Sequence, residues 1–401
     1  MIRFRIIFTN ILAPILLGVL LTQTGAAQTA EELFDSMLES QGSEYTEARD
    51  RFLQAPDTEL LHARLDGTPE EWIQATILSG WVEHEARYRE LINTPTTTSR
   101  GLEEHYPWAL REMLDRFAAP LLVEILLKGG NHENADDDAA DSLRKMVHSG
   151  MALDARLFTI PLRRGDIETK HHLASVVSAF PPTENEELFN ELDDIFRSEE
   201  DVTTGRLLLH GLVNQSSLVP EDRRAAFVAE LSDKATLDRL GQRAIYSALA
   251  DIGGEAAESV LLEYFDRAIT SGDAFEQRDA VQTLFKIPVQ QSVDRLLIAA
   301  GDSGRPEWMR KMIHNHLGSV PYEDRIKIHL MGVVANDDLS TDERAEAVSA
   351  LGRIQVDLSR RGVETDDITG TFGGILESGI EDPEFLKMIS DSYQNGLRID
   401  R

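Results

Sequence analysis

A recurring leucine is the feature that most constrains the fold of this chain. Four ten-residue segments align without gaps, and each carries the leucine at its seventh position: Leu249, Leu284, Leu317 and Leu351. Their intervals are 35, 33 and 34 residues. The same spacing continues to apolar residues on either side: Leu212, Val177, Leu143, Leu110, Ile77, Phe385 and Met388. A fixed period of about 34 residues over most of a chain indicates a repeat architecture.

Each repeat is long enough for two helices. Apolar residues at helical spacing surround Gly253-Gly254, which predicts one helix to Ile252 and another from about Glu255. Further helix starts are predicted by capping-box pairs and by prolines: Thr68 with Glu71, Thr183 with Glu186, Ser340 with Glu343, Pro306 and Pro383. The sequence therefore predicts an all-α, right-handed α-solenoid of stacked helix pairs over residues 60–398, after a capping helix region at 28–59.

The stretch 238–287 resembles HEAT-type repeats, especially the short bacterial kind. In those repeats a turn aspartate precedes the arginine that opens the second helix, as in three pairs here: Asp238 with Arg243, Asp273 with Arg278, and Asp338 with Arg344. The match covers about 235–355, and from 60 to 235 periodicity alone supports it. The resemblance implies a curved scaffold that binds a protein or peptide on its concave face. It implies structural roles for the aspartates and arginines, with no catalytic residue and no cofactor.

The N-terminus has the three parts of a secretory signal peptide. Arg3 and Arg5 form a basic start, residues 6–21 form an apolar run, and small residues precede Gln28. The run of 16 residues is short of the roughly 20 that a spanning helix needs. We therefore expect cleavage after Ala27, export to the periplasm or the exterior, and no membrane insertion of the mature chain. Because the chain contains no cysteine, an apolar core must stabilise it without disulfides.

Charge narrows the range of partners. The chain has 70 acidic and 40 basic residues and a net charge of −30, which disfavours nucleic acids and favours basic partners or cations. The acidic stretch 129–141 is the best candidate for a divalent cation, with oxygen ligands from a single loop: Asn131, Glu133, Asn134, Asp136, Asp137 and Asp138. The alternative, which we favour, is a solvated loop whose aspartates cap a helix starting near Ala139.

Gly301-Asp302-Ser303-Gly304 matches the four residues around the nucleophile of chymotrypsin-like proteases. Such a serine needs a base and an oxyanion hole held by β-barrels, and the helical pattern provides neither. We interpret 301–304 as a turn between helices and predict no catalytic residue. Surface or capping roles are expected for His171, His172, His314 and His316, and packing roles for Trp72, Trp81, Trp108 and Trp308. A tryptophan on the concave face would instead suit a binding anchor.

Two functions remain open at this point. The first is a non-enzymatic scaffold whose second helices line a groove for a protein or peptide. The second is an exported hydrolase or metal-dependent enzyme whose site residues converge from several repeats. A groove with scattered polar residues would favour the scaffold. A closed pocket with converging carboxylates and histidines would favour the enzyme.

Overall fold

The computed structural model describes residues 28–92, 118–129, 134–182, 186–287, 289–320, 324–377 and 382–399. These residues form 21 α-helices and one short 3-10 helix, and they include no β-strand. The all-α prediction is therefore confirmed for the described part of the chain. The chain divides into two units, Met1–Gln215 and Ser216–Arg401. Among the described helices, none is long and apolar enough to cross a lipid bilayer.

Unit 1 contains ten described α-helices. They are α1 (Ala30–Glu39), α2 (Gly42–Gln54), α3 (Thr58–Arg64), α4 (Pro69–Ile92), α5 (Ala118–Lys128), α6 (Ala135–His148), α7 (Arg156–Leu162), α8 (Ile167–Val177), α9 (Glu187–Ser198) and α10 (Val202–Gln215). Contacts run mainly between neighbours, as in α1 with α2, α5 with α6, and α9 with α10. The predicted capping box at the start of α4 is formed. The Thr68 N–H donates to the Glu71 carboxylate, and the Glu71 N–H donates to the Thr68 hydroxyl.

Unit 2 begins with the 3-10 helix Ser216–Leu218 and continues with eleven α-helices. They are α11 (Glu221–Leu231), α12 (Lys234–Leu240), α13 (Gln242–Ile252), α14 (Gly254–Ser271), α15 (Ala274–Phe285), α16 (Gln290–Gly301), α17 (Glu307–Leu317), α18 (Asp324–Ala335), α19 (Thr341–Arg360), α20 (Asp366–Glu377) and α21 (Pro383–Ile399). Each packs mainly on its neighbours and on the next helix but one. This stacking is that of an α-solenoid; its handedness and its exact period stay predictions.

The recurring leucines form the core of this stacking. In unit 2 all four leucines and the residue that continues them are buried: Leu249, Leu284, Leu317, Leu351 and Phe385. In unit 1 the extrapolated positions are buried too: Leu212, Val177, Leu143 and Ile77, while Leu110 lies outside the described residues. The predicted core register is therefore confirmed at these nine positions. Met388 differs, since it is only half-buried and lines a surface groove.

Two glycines shape unit 2. One allows a tight turn of the backbone, and the other allows two helices to approach closely. Gly253 ends α13 at φ +65°, a left-handed conformation that favours glycine, and its N–H donates to the carbonyl of Leu249. The predicted break after Ile252 is therefore confirmed. Gly318 ends α17 so close to α19 that a Cβ there would lie 2.6 Å from the Cα of Ala350. This contact brings α17 and α19 side by side.

Candidate functional site

A groove of about 540 Å³ lies on the surface formed by α17 and α19. It is lined by Glu307, Trp308, Lys311, Met312, Asn315, His316 and Glu346. The six lining residues on α17 recur at one-, three- and four-residue steps, so they form one face of that helix. The opposite face carries Met309, Ile313 and Leu317, which are buried. One amphipathic helix thus supplies both the core contact and most of the groove.

Carboxylates dominate the electrostatics of this groove. The Lys311 ammonium lies 2.8 Å from a carboxylate oxygen of Asp342. This contact raises the pKa of Lys311, and the nearby charges of Glu307 and Glu346 raise it further against the opposing effect of desolvation. Three carboxylates therefore surround a single ammonium group. The lining residues themselves carry a net negative charge, two glutamates against one lysine, and the guanidinium groups of Arg278 and Arg353 lie beside them.

Hydrogen bonds across the two helices fix the polar groups in the groove. The Asn315 amide donates to Glu346, and the Arg353 guanidinium donates to the Asn315 side-chain oxygen at 3.2 Å. At the other end, the Ser340 hydroxyl donates to Glu307 at 2.6 Å. These contacts join α17 to residues 340–353. The groove is thus a preorganised surface whose polar side chains already have defined positions.

Aromatic rings form the apolar part of the groove. The guanidinium of Arg278, on α15, lies 5.4 Å from the centre of the Trp308 ring, a cation–π distance. The His316 ring stacks on Phe285 with centroids 4.6 Å apart. Burial and the charge of Arg353 lower the pKa of His316, so this ring is neutral at pH 7. His316 was predicted to be a surface or capping residue, and it lies half-buried in the groove wall.

The three described tryptophans are all partly buried and differ in what surrounds them. Trp72 is covered by Arg156, and Trp81 lies under Arg49 and donates its indole N–H to the buried Glu124. Trp308 has Arg278 over its ring and lines the α17–α19 groove. Trp108 lies outside the described residues. The sequence analysis noted that a tryptophan on the concave face would suit a binding anchor. Trp308 is therefore the candidate for that role.

A second groove, of about 530 Å³, lies between α19 and α21. It is lined by Ser349, Gly352, Arg353, Gln355, Val356, Asp357, Arg360, Met388, Asp391 and Ser392. Arg353 connects the two sites, because it lines this groove and also donates to Asn315 in the first one. The two grooves thus share α19, and scattered polar side chains line both.

Behind the first groove lies a buried charged cluster. The guanidinium of Arg310 donates two hydrogen bonds, of 2.8 and 2.7 Å, to the carboxylate of Glu343. A carboxylate oxygen of Glu343 also lies 3.7 Å from Nδ1 of the fully buried His314, whose ring centre is 5.3 Å from that of His329. Desolvation, then His329 and Arg310, lowers the pKa of His314 to about 3, and desolvation lowers the pKa of His329.

This cluster corrects two predictions from the sequence. His314 is not a surface or capping histidine, because its side chain is fully buried. Only half of the predicted capping box at Ser340 is formed. The Ser340 hydroxyl accepts the Glu343 N–H at 3.2 Å, but the Glu343 carboxylate binds Arg310 instead of the Ser340 backbone. Full burial of His314 keeps it from acting as a base toward an external substrate, and Arg310 engages both oxygens of Glu343. Within the described residues, no group of three or more histidine, cysteine or acidic side chains is placed to hold a metal ion.

The Gly301–Gly304 segment is an interhelical turn, as predicted. Asp302 accepts the Gly304 N–H at 2.9 Å and a hydrogen bond from Arg305 Nε at 3.0 Å. Ser303 is exposed. No described histidine donates to or accepts from its hydroxyl. Pro306 precedes α17 as its N-cap instead of occupying the first helical position, while Pro383 does begin α21.

The acidic candidate for a cation site is only partly described. Asn131 and Glu133 lie outside the described residues, as does Thr183 of the second predicted capping box. Helix α6 begins at Ala135, four residues before the predicted start near Ala139. Three predicted ligands, Asp136, Asp137 and Asp138, are therefore in its first helical turn and not in a loop. Nδ1 of His172 lies 3.9 Å from Asp137. The cation site stays a prediction.

His171 and His172, the other two histidines with a predicted surface or capping role, lie on α8. His171 Nε2 is 2.7 Å from the carboxylate of Asp201. That carboxylate also accepts the Thr204 N–H at 2.7 Å, and this N–H, followed by His171, lowers the pKa of Asp201 to about 2. His171 therefore supports the start of α10, in agreement with its predicted capping role.

Comparisons with known proteins add no family. No protein-family model matches the chain, and no curated protein matches it. Among solved structures, the chain is similar to human deoxyhypusine hydroxylase in complex with glycerol, at 12% identity and a TM-score of 0.28. The match covers 74% of this chain and 98% of that chain. A likeness at this level carries no argument about what this chain does.

Proposed function

We propose that this protein is an exported, non-enzymatic helical-repeat scaffold that binds an extended segment of a partner protein on the second helices of unit 2. The single observation that carries the proposal is the α17–α19 groove, where a partly exposed tryptophan lies among polar groups held by interhelical hydrogen bonds. The HEAT-type resemblance assigns these second helices to the concave side. The leader at residues 1–27 supports export and lies outside the described residues.

The composition of the groove suits polypeptide recognition. Trp308 and Met312 offer apolar contact area, and tryptophan is enriched among residues that contribute most to binding energy. Asn315 and His316 add polar groups whose conformations are already fixed, which reduces the entropy lost on binding. The site is an open groove, and the fully buried His314 behind it is closed to substrate. These features favour the scaffold over the hydrolase.

A site-specific photo-crosslinker tests this proposal. A benzophenone amino acid replaces Met312 in the groove, and in a matched control it replaces Ile298, whose side chain on α16 is 73% exposed. After irradiation in an envelope extract, we expect one discrete crosslinked polypeptide from position 312 and none from position 298. Replacing Trp308 with alanine should abolish the product, while Trp72→Ala should retain it. Equal crosslinking from both positions, or none from position 312, would refute the proposed function.

A further inference from the structure

The charge balance of the α17–α19 groove identifies the chemistry of the segment that it binds. Lys311 is committed to Asp342 at 2.8 Å. Glu307 accepts a hydrogen bond from the neutral hydroxyl of Ser340, and Glu346 accepts one from the neutral side-chain amide of Asn315. Neither glutamate forms an ion pair within the described residues. Two carboxylates therefore line the groove without an ion-pair partner of their own, and the Lys311 ammonium attracts both from its position beside Asp342.

We propose that the bound segment is basic, and that one of its lysine or arginine side chains lies against Trp308 between Glu307 and Glu346. This inference rests on the proposed function and specifies its ligand. A long basic side chain places its methylene stem on Trp308 and Met312 while its charged end reaches the carboxylates. The indole face adds cation–π attraction, which each described tryptophan already makes with an arginine: Arg156, Arg49 and Arg278.

The charge of the whole chain acts in the same direction. A net charge of −30 attracts basic segments over long distances and raises their association rate. Long-range attraction alone would not distinguish this groove from other acidic surfaces. The two glutamates beside the partly exposed Trp308 do distinguish it, because they combine charge with apolar contact at one place. An acidic segment would instead need Arg278, which lies on Trp308 and is exposed.

Fluorescence anisotropy tests the inference with three labelled twelve-residue peptides that alternate leucine with lysine, glutamate or serine. We expect the lysine peptide to bind most tightly. The Glu307→Gln/Glu346→Gln double variant should weaken this binding about tenfold, the effect of losing two rim charges. The control is Glu255→Gln/Glu258→Gln on α14, which makes the same change in net charge away from the groove. It should alter binding less than twofold, and both variants should keep the wild-type helical circular dichroism.

Each result has a defined consequence. Equal weakening by the two double variants would show general charge attraction and overturn the inference. Tighter, Trp308-dependent binding of the glutamate or serine peptide would overturn it as well, but would leave the proposed scaffold function standing. If none of the peptides binds, the inference is tested by the amino-acid sequence of the partner segment that crosslinks to position 312. Lysine or arginine at the crosslink supports the inference, and their absence overturns it. Failure of the crosslink itself refutes the scaffold function.

Discussion

Protonation of His314 should destabilise α17 as the pH falls. This side chain is fully buried, and neither ring nitrogen has a hydrogen-bond partner within the described residues. Arg310 lies nearby, and its attraction to Glu343 leaves little carboxylate charge to stabilise a protonated imidazole. His329 is the other titratable group that faces the ring, and its own pKa is lowered. Burial therefore keeps His314 neutral.

The size of the effect follows from proton linkage. A histidine in the unfolded chain has a pKa of about 6.5, whereas that of folded His314 is about 3. Between these values the unfolded state binds more protons, so the free energy of unfolding falls as the pH falls. The stabilisation is complete above pH 6.5 and is lost progressively down to about pH 3. Each pH unit well inside this window costs ~1.4 kcal/mol, and the step from pH 6.5 to 4.5 costs about 2 kcal/mol.

Hydrogen exchange of the α17 amides, residues 307–317, measures this loss locally. Wild type, His314→Gln and the control His210→Gln, which removes an exposed histidine of unit 1, are compared at pH 6.5 and 4.5. The opening free energy of α17 should fall by about 2 kcal/mol more in wild type than in His314→Gln, because glutamine does not titrate. The control should behave as wild type. The same fall in wild type and His314→Gln would refute the reasoning, since it would assign the acid sensitivity to other groups.

Four further predictions follow from the structure. Leu284→Ala should lower the free energy of unfolding by about 2 to 5 kcal/mol, measured by urea denaturation, because this side chain is 1% exposed in the core of unit 2; a loss under 0.5 kcal/mol would contradict the register. Glu343→Gln should cost about 3 to 5 kcal/mol in the same assay, since it leaves the Arg310 charge buried without its partner, and an unchanged midpoint would contradict this. A serine-directed phosphonate should leave Ser303 unlabelled by mass spectrometry, and an adduct there would overturn the non-enzymatic proposal. Expression in a secreting host should yield a product that starts just after Ala27, and an intact leader on the exported chain would contradict signal cleavage.

The success of the leucine register has a physical basis. In a helical array each repeat buries its apolar stripe against its neighbours, so the same face is selected in every repeat. The spacing of Leu249, Leu284 and Leu317 records that selection directly in the sequence. Local turn signals worked for a similar reason, because Thr68 and Gly253 act on backbone groups within four residues. Where a cap competes with a distant partner, as at Glu343, the local signal predicted the wrong contact.

The sequence by itself determined the all-helical fold of the described residues, the burial of the recurring leucines, and the turn at Gly301–Gly304. Only the tertiary structure decided that Trp308 and Glu346 line one groove and that His314 lies beside Glu343. These groups are about 30 to 40 residues apart and belong to different helices, so their meeting depends on how neighbouring helices rotate and slide. Periodicity specifies the buried face of a helix. Close packing between helices, such as Gly318 against Ala350, sets which side chains meet across them.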